Sequence, residues 1–183
     1  PQVEFLRGVI NPVGVKCGPE AEASDLERLI DVLNPANEKG KITLILRAGV
    51  GNADKAYRRL FREFKGSGRN ILWAVDPMHG NPKSDGNGVK TRMFSDILGE
   101  CEIFIDVCRE EGVNPGGVHL EMTGKNVTEC LGGSDRVADL SMNYDTLCDP
   151  RLNASQSLEL AFAFAERLVT TAPPPEHKTS GRF

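Results

Sequence analysis

The chain has 183 residues, of which 26% are charged and 39% hydrophobic, and its formal net charge at pH 7 is −4. This composition is typical of one globular unit with its own core, and the acidic balance excludes a broad basic surface for nucleic acid. No segment has the length and apolar content of a membrane span, so we expect neither nucleic acid nor a membrane among the partners. Any anion that the protein binds must be held by a local group of cations.

The cysteines are odd in number, and no two of them have the C-x-x-C spacing of a zinc ribbon. They are Cys17, Cys101, Cys108, Cys130 and Cys148. This pattern argues against a disulfide scaffold and favours a reducing compartment, which makes the cytoplasm the expected location.

Strand-like and helical segments alternate along the chain, after a short segment, EFLRGVI, that has the pattern of a helix end. Four apolar runs with strand patterns lie at 13–18, 41–49, 70–76 and 116–122. Each of the first three is followed by apolar residues at helical spacing, and a loop-rich segment after the fourth leads to a last helix, SQSLELAFAFAERL. Ser24 and Glu27 have the spacing of a capping box, which predicts where the first of these helices begins.

Strands that alternate with helices through short turns predict an α/β fold, a parallel sheet covered by helices. A doubly wound sheet and a (β/α)8 barrel both fit this pattern. The sequence has no G-x-G-x-x-G or Walker A motif, which removes the most easily recognised doubly wound folds. Four strands cannot close a barrel but would make half of one, so the pattern leaves the choice open. The segment 172–183 contains three consecutive prolines, and we expect it to be disordered or to cross to a neighbouring chain.

Two cations stand at the ends of apolar strands, where an unpaired charge is costly. Lys16 ends the first strand pattern and Arg47 lies at the end of the second. On adjacent parallel strands their charged groups could converge on one phosphate or carboxylate, with arginine as a planar fork and lysine as a point charge. Salt bridges at the edge of a sheet would explain the same two positions.

One imidazole and two carboxylates form a second candidate site. His79 follows the third strand in DPMHGN, Glu121 ends the fourth strand, and Asp149 precedes the last helix. This donor set suits a divalent ion such as Mn2+, Fe2+, Co2+ or Zn2+, although a single histidine is more commonly a hydrogen-bonded loop residue. His119 lies two residues before Glu121 and so on the same face of that strand, and it could be the ligand instead or support one.

Two further features have competing interpretations. Lys90 and Arg92 open the longest helical pattern, where a helix N-terminus with two cations could bind phosphate, although a solvated first turn is the commoner explanation. Cys17 and Cys148 are sequence neighbours of Lys16 and Asp149. Small core side chains are the simpler interpretation of both cysteines, although a cysteine beside a site can be sensitive to oxidation.

Four longer motifs occur in a fixed order: NPVGVKCGP, DPMHGN, GGVHLEMTGKNVTECLGG and CDPRLNASQSLELAF. Together they closely resemble the class II (plant-type) 3-deoxy-D-arabino-heptulosonate 7-phosphate (DAHP) synthases, from residue 1 to about residue 170. The resemblance implies a (β/α)8 TIM barrel, of which 1–171 would supply about the last four β/α units. It also implies the first step of the shikimate pathway, in which phosphoenolpyruvate and erythrose 4-phosphate condense to DAHP and phosphate. A related synthase of secondary metabolism, making an aminoshikimate-type precursor, and a non-catalytic half-barrel that needs a partner chain remain as alternatives.

Carried over position by position, the resemblance implies that His79, Glu121 and Asp149 hold a divalent metal, with Mn2+ or Co2+ favoured. It implies that Lys16 and Arg47 bind phosphoenolpyruvate, and Lys16 could also act as a catalytic proton donor. The stretch RAGVGN departs from the usual continuation in the family, which leaves substrate preference open.

Two features of the family are missing from this sequence, its cysteine ligand and its Gly-Glu-Arg motif. We therefore expect that the natural chain begins upstream of Pro1 and that residues 1–183 alone are inactive. On the same expectation, the upstream half of the barrel completes the enzyme, and the enzyme forms a homo-oligomer. If the protein comes from a plant, we expect it in the plastid.

Overall fold

The computed structural model describes residues 2–171, which form a parallel sheet with a layer of helices against it. The helices are α1 (Gln2–Arg7), α2 (Ala23–Leu33), α3 (Ala53–Phe64), α4 (Phe94–Glu111) and α5 (Ala154–Thr171). The strands are β1 (Val13–Cys17), β2 (Ile42–Leu46), β3 (Ile71–Val75), β4 (Lys83–Ser84), β5 (Lys90–Thr91) and β6 (Pro115–Val118). The predicted tail at 172–183 lies outside the described residues.

Four strands form one parallel sheet in the order β1-β2-β3-β6, while β4 and β5 form a separate antiparallel pair. The ladder continues past the strand ends through backbone bonds donated by Arg47 to Cys17 and by Asp76 to Leu46, at 2.9 and 2.7 Å. The chain segments that follow neighbouring strands therefore leave the sheet at the same edge. This arrangement confirms the predicted parallel α/β sheet and is compatible with part of a barrel.

The core lies between one face of the sheet and the helices. Along β2 the side chains of Ile42, Leu44 and Leu46 are fully buried, while the residues between them are partly exposed. This alternation follows from the two-residue period of a strand. The helices contact one another in chain order, α1 with α2, α2 with α3, α3 with α4 and α4 with α5. No helix within 2–171 is long and apolar enough to cross a membrane.

Aromatic side chains fill the space between β3, α3 and α4. The ring of Phe61 lies edge-on to Trp73, with centroids 5.0 Å apart, and Tyr57 lies edge-on to Phe104 at 6.1 Å. Such edge-to-face contacts add to the apolar area that these residues bury. The predicted stripe of α4 is confirmed, because its apolar members from Phe94 to Cys108 are nearly all buried.

Two local predictions are wrong. Helix α2 begins at Ala23 with Glu22 as its N-cap, and no side chain caps it, so Ser24 and Glu27 do not form a capping box. Strand β6 ends at Val118, although its pattern continues to residue 122. A single bridge between Met122 and Leu152 replaces the predicted pairing there, and Glu121 therefore stands on a loop.

Candidate metal and anion site

The site lies where the parallel strands end, and five chain segments contribute to it. Lys16 belongs to β1, Arg47 follows β2, His79 follows β3, Glu121 follows β6, and Asp149 precedes α5. Long separations in sequence thus become short distances, because parallel strands bring their carboxyl ends to one edge.

We call His79, Glu121 and Asp149 the metal-ligand group after their predicted role, and this group is compact. His79 Nε2 lies 3.2 Å from Glu121 Oε1 and 3.7 Å from Asp149 Oδ2. One potential ligand atom from each residue lies within 4.8 Å of the other two. Each side chain keeps between 20 and 27% of its surface exposed, so the group can be reached from solvent.

Asp76 fixes the orientation of His79. Its carboxylate is fully buried, lies 2.7 Å from His79 Nδ1, and accepts hydrogen bonds from the backbone of Met78 and His79. When Nδ1 carries the ring proton it donates to Asp76, and Nε2 then presents its lone pair to Glu121 and Asp149. A buried carboxylate behind the imidazole is the usual support of a histidine that ligates a metal.

The charge of Asp76 is balanced by Lys16, whose ammonium donates to Oδ2, the same oxygen that lies against His79 Nδ1. Burial alone would raise the pKa of Asp76, but the hydrogen bonds from Lys16 and from the backbone of His79 hold that pKa below its ordinary value. Asp76 therefore remains a carboxylate, and it joins a cation of the predicted anion site to the imidazole of the predicted metal site.

Arg92 is buried beneath the metal-ligand group, with 1% of its side chain exposed. It donates to the backbone oxygens of Met78 and Pro150, which are sequence neighbours of His79 and Asp149. Its Nη1 also lies 2.8 Å from Glu121 Oε2, and its Nη2 lies 4.0 Å from Asp149. One guanidinium thus touches all three segments that carry the predicted ligands.

The donor set fits a divalent cation. Glu121 Oε2 is buried and accepts no hydrogen bond, since the nearby Arg92 lies within ion-pair distance but outside hydrogen-bond geometry. An imidazole and two carboxylates with an unsatisfied oxygen suit Mn2+, Fe2+, Co2+ or Zn2+. The Lys90 ammonium donates to Asp149 and lowers the pKa of that carboxyl group, which keeps it in the ionised form that a metal requires.

The loop that carries Asp149 is held by a second buried carboxylate. Glu129 has no exposed surface and accepts hydrogen bonds from the backbone, Nε and Nη2 of Arg151, at 2.6 to 2.9 Å. Burial alone would raise the pKa of Glu129, but these bonds hold that pKa below its ordinary value. The bidentate pair fixes the chain two residues after Asp149.

The cation pair, Lys16 and Arg47, turns towards the segment 76–79. Lys16 contacts Asp76, and Arg47 Nη1 donates a long hydrogen bond of 3.5 Å to the backbone oxygen of His79. Both side chains keep substantial exposure. The pair therefore borders the metal-ligand group and is open to a ligand from solvent.

Two alternative predictions do not fit the structure. His119 is exposed, with its ring centroid 6.4 Å from that of His79, and it is not a member of the metal-ligand group. Lys90 and Arg92 do not open α4, which begins at Phe94. Lys90 lies on β5 and Arg92 is buried, so neither interpretation of the helix start, a phosphate site or a solvated first turn, fits Arg92.

The cysteines divide into two classes. Cys17, Cys101, Cys108 and Cys130 are buried, and Cys148 is exposed. Burial raises the pKa of Cys17, Cys108 and Cys130 to about 12, so these thiols are core side chains. Cys148 lines a surface cavity together with Glu121 and Asp149, so its interpretation as a core side chain is wrong, whereas that of Cys17 is confirmed.

A sequence model of the class-II DAHP synthetase family matches residues 1–165. The chain belongs to this family. The finding confirms the resemblance of the four motifs.

Three similar proteins are each named phospho-2-dehydro-3-deoxyheptonate aldolase. The protein from Streptomyces coelicolor is 44% identical over 166 residues, which are 90% of this chain and 37% of that protein. The protein from Neurospora crassa is 47% identical over 168 residues, which are 90% of this chain and 35% of that protein.

The third relative, from Mycolicibacterium smegmatis, is 42% identical over 168 residues, which are 91% of this chain and 36% of that protein. The chain thus spans little more than one third of the length of the family members that it matches.

The sequence alone did not reveal the buried residues that support the site. Asp76, Glu129 and the role of Arg92 emerge from the structure alone. Asp76 offered a signal, because an acid directly after a buried strand and three residues before a histidine is well placed to reach that histidine. Arg92 offered none, since its partners are backbone oxygens from distant parts of the chain.

Proposed function

We propose that this chain is part of a DAHP synthase, which condenses phosphoenolpyruvate with erythrose 4-phosphate to give DAHP and phosphate in a metal-dependent reaction. The observation that carries the proposal is the metal-ligand group beside the cation pair, in a chain of the class-II DAHP synthetase family. The name of the three relatives, phospho-2-dehydro-3-deoxyheptonate aldolase, refers to this product. The reaction would be the first step of the shikimate pathway.

The proposed architecture is a (β/α)8 barrel in which this chain provides about four β/α units. The helices follow one another in a single layer against one face of the sheet, as the outer ring of a barrel does, whereas a doubly wound fold divides them between two faces. On the opposite face Leu72 keeps 44% of its surface exposed. The remaining units would come from elsewhere in the enzyme.

The proposed metal would be held by His79, Glu121 and Asp149. When bound, it would supply Lewis-acid polarisation of the aldehyde oxygen of erythrose 4-phosphate. The residues around it have separate tasks. Asp76 keeps the His79 ring turned so that Nε2 faces the carboxylates, and Arg92 holds the backbone on both sides of the group.

Lys16 and Arg47 would bind the phosphate and carboxylate of phosphoenolpyruvate. One N–H of the Lys16 ammonium is used by Asp76, which leaves two for a ligand and keeps the head in place. Arg47 offers a planar fork that matches two anionic oxygens at once. Holding the substrate in this way brings its reactive carbon to a fixed position, and Lys16 could donate a proton as charge develops.

The test uses the intact protein, stripped of metal with a chelator and reloaded with Mn2+ or Co2+. We expect binding of one ion per site, and DAHP and phosphate formed in equal amounts from phosphoenolpyruvate and erythrose 4-phosphate, with activity lost on stripping and restored on reloading. Metal binding without turnover of any sugar phosphate would favour a non-catalytic protein. Turnover of an amino-substituted sugar phosphate in place of erythrose 4-phosphate would indicate the related secondary-metabolism synthase.

A further inference from the structure

Glu100 is a buried carboxylate to which the proposed reaction gives no task. It lies on α4 with no exposed surface. Its Oε1 accepts hydrogen bonds from the backbone N–H groups of Ala48 and Gly49, both at 3.0 Å. These are the two residues that follow Arg47, so Glu100 fixes the start of the loop between β2 and α3.

The other oxygen of Glu100 holds the next loop. Asn81 donates from Nδ2 to Glu100 Oε2 at 2.6 Å and to the backbone oxygen of Pro77 at 2.8 Å. Its Oδ1 accepts from the backbone N–H of Val50 at 2.9 Å. Glu100 and Asn81 therefore connect the loop after Arg47 to the loop that carries His79 through a continuous set of buried hydrogen bonds.

The two loops also touch directly through their backbones. A Cβ atom added to Gly80 would lie 2.8 Å from Gly49 Cα, and one added to Gly49 would meet the backbone oxygen of Gly80. Gly49 in addition has a φ of +78°, which disfavours other residues. Neither position has room for a side chain, so the approach of the loops depends on both glycines.

We propose that Glu100 is a positioning residue that holds Arg47 and His79 at a fixed separation, so that the anion-binding and metal-binding parts of the site behave as one unit. The inference rests on the proposed function, because it assigns a ligand to each part. It is consistent with the direct contact between the two residues, in which Arg47 Nη1 donates to the backbone oxygen of His79.

The chemistry of the cluster requires a carboxylate. Each group that faces Glu100 is a donor: two backbone N–H groups and the Tyr57 hydroxyl on one oxygen, and an amide NH2 on the other. A glutamine would have to turn its own NH2 towards one of these donors in either orientation of its amide. A buried donor left unpaired is costly, so the loops would move apart to restore solvation.

The experiment measures Mn2+ affinity and phosphoenolpyruvate affinity separately, by equilibrium binding to the intact protein carrying Glu100→Gln. We expect both affinities to fall, each by about 10- to 100-fold, because the loss of a residue that holds binding groups in place has effects of that size. Gly80→Ala forces the same two loops apart without changing any charge, and we expect it to lower the affinity for both ligands as well.

Ile105→Val is the matched control, because it removes one methylene from a buried side chain on the same helix and changes no polar group. We expect it to lower the melting temperature while both affinities stay within about twofold of the wild-type values. Circular dichroism of every variant shows whether it folds, and Gly80→Ala decides the matter if Glu100→Gln does not.

The outcomes separate the two proposals. If the wild-type protein binds neither ligand, the proposed function fails and this inference fails with it. If the wild-type protein binds both and Glu100→Gln lowers only the melting temperature, the carboxylate is structural and the inference is wrong while the proposed function stands. Loss of one affinity without the other would show that the two parts of the site are independent, which also overturns it.

Discussion

The metal-ligand group and the cation pair are neighbours, but they are built differently. His79, Glu121 and Asp149 are backed by buried charged side chains that hold them or their adjacent backbone. These supports are Asp76, Arg92 and Glu129, all with 1% or less of their surface exposed. Lys16 and Arg47 have long exposed side chains, and the single hydrogen bond that the Arg47 guanidinium makes to His79 is 3.5 Å long.

The difference matches what each group is proposed to bind. A metal ion accepts ligands only within narrow limits of distance and angle, so its ligands must be held before it arrives. Two anionic groups on a small substrate can instead be gathered by exposed cations, of which the loosely held Arg47 would lose rotational freedom when the ligand binds. We therefore expect substitutions beneath the metal-ligand group to act through geometry and substitutions in the cation pair to act through direct contacts.

The largest effect is expected from the ligands themselves. His79→Ala or Glu121→Ala should abolish metal binding and metal-dependent activity in the intact protein without unfolding it, because each removes a ligand that the partly exposed site cannot replace. Metal content measured after dialysis and the melting temperature check this. His119→Ala is the matched control, and a greater loss of metal from that variant would exchange the roles of the two histidines.

A smaller effect, confined to one ligand, is expected at Arg47. Arg47→Lys should weaken phosphoenolpyruvate binding by about 1.5–3 kcal/mol, since an ammonium cannot reproduce a bidentate contact to two anionic oxygens. Metal affinity should stay unchanged in the same variant. Titration of both ligands measures this, and an unaltered KM for phosphoenolpyruvate with a lowered kcat would count against a binding role.

Asp76 is the residue at which the two groups meet, and its replacement sharpens the comparison. Asp76→Asn should lower metal affinity by about 10- to 100-fold, because an amide whose oxygen accepts from Lys16 and His79 Nδ1 turns its NH2 towards the backbone N–H groups of Met78 and His79. The affinity for phosphoenolpyruvate should fall less, since Lys16 keeps its charge. Isothermal calorimetry with each ligand separates the effects, and equal losses would show that the two groups share one support.

The smallest effect concerns the pH dependence of stability. The pKa of Glu129 is lowered in the folded protein. Its pairing with Arg151 therefore stabilises the folded state in full when the pH lies above the pKa of glutamate in the unfolded chain, about 4.3. This contribution is lost as the pH falls through the lowered pKa. Glu129→Gln should therefore reduce stability at pH 6 and flatten the loss of stability below about pH 4. Denaturant unfolding at a series of pH values tests this, and parallel curves would argue that Glu129 does not hold the loop.

The sequence predicted the sheet and most helices because those elements depend on local periodicity. The two-residue period of β2 and the helical spacing along α4 are visible in any window of the chain, and the structure agrees with both. The ends were harder to predict. Residues 120–122 continue the strand pattern, but they leave the sheet after the backbone bond from His119 to Val75, and the chain there pairs with Leu152 instead.

The candidate site was predictable as far as residue types at strand ends could show it. His79, Glu121 and Asp149 are brought together, and their role as metal ligands stays a prediction. The supports could not be found in this way, because Arg92 and Glu129 act on partners that are distant in sequence. Arg92 in particular has the sequence context of a solvated helix start, and only the tertiary fold buries it.

The distribution of the cysteines gives the protein a built-in reporter position. Four thiols are buried, whereas Cys148 is exposed and is the sequence neighbour of Asp149. A small maleimide dye applied briefly to the folded protein should therefore attach at this position, next to the cavity that Glu121 also lines. The fluorescence of such a dye would change when ions or substrates bind and dissociate, and no substitution in the chain is needed to attach it.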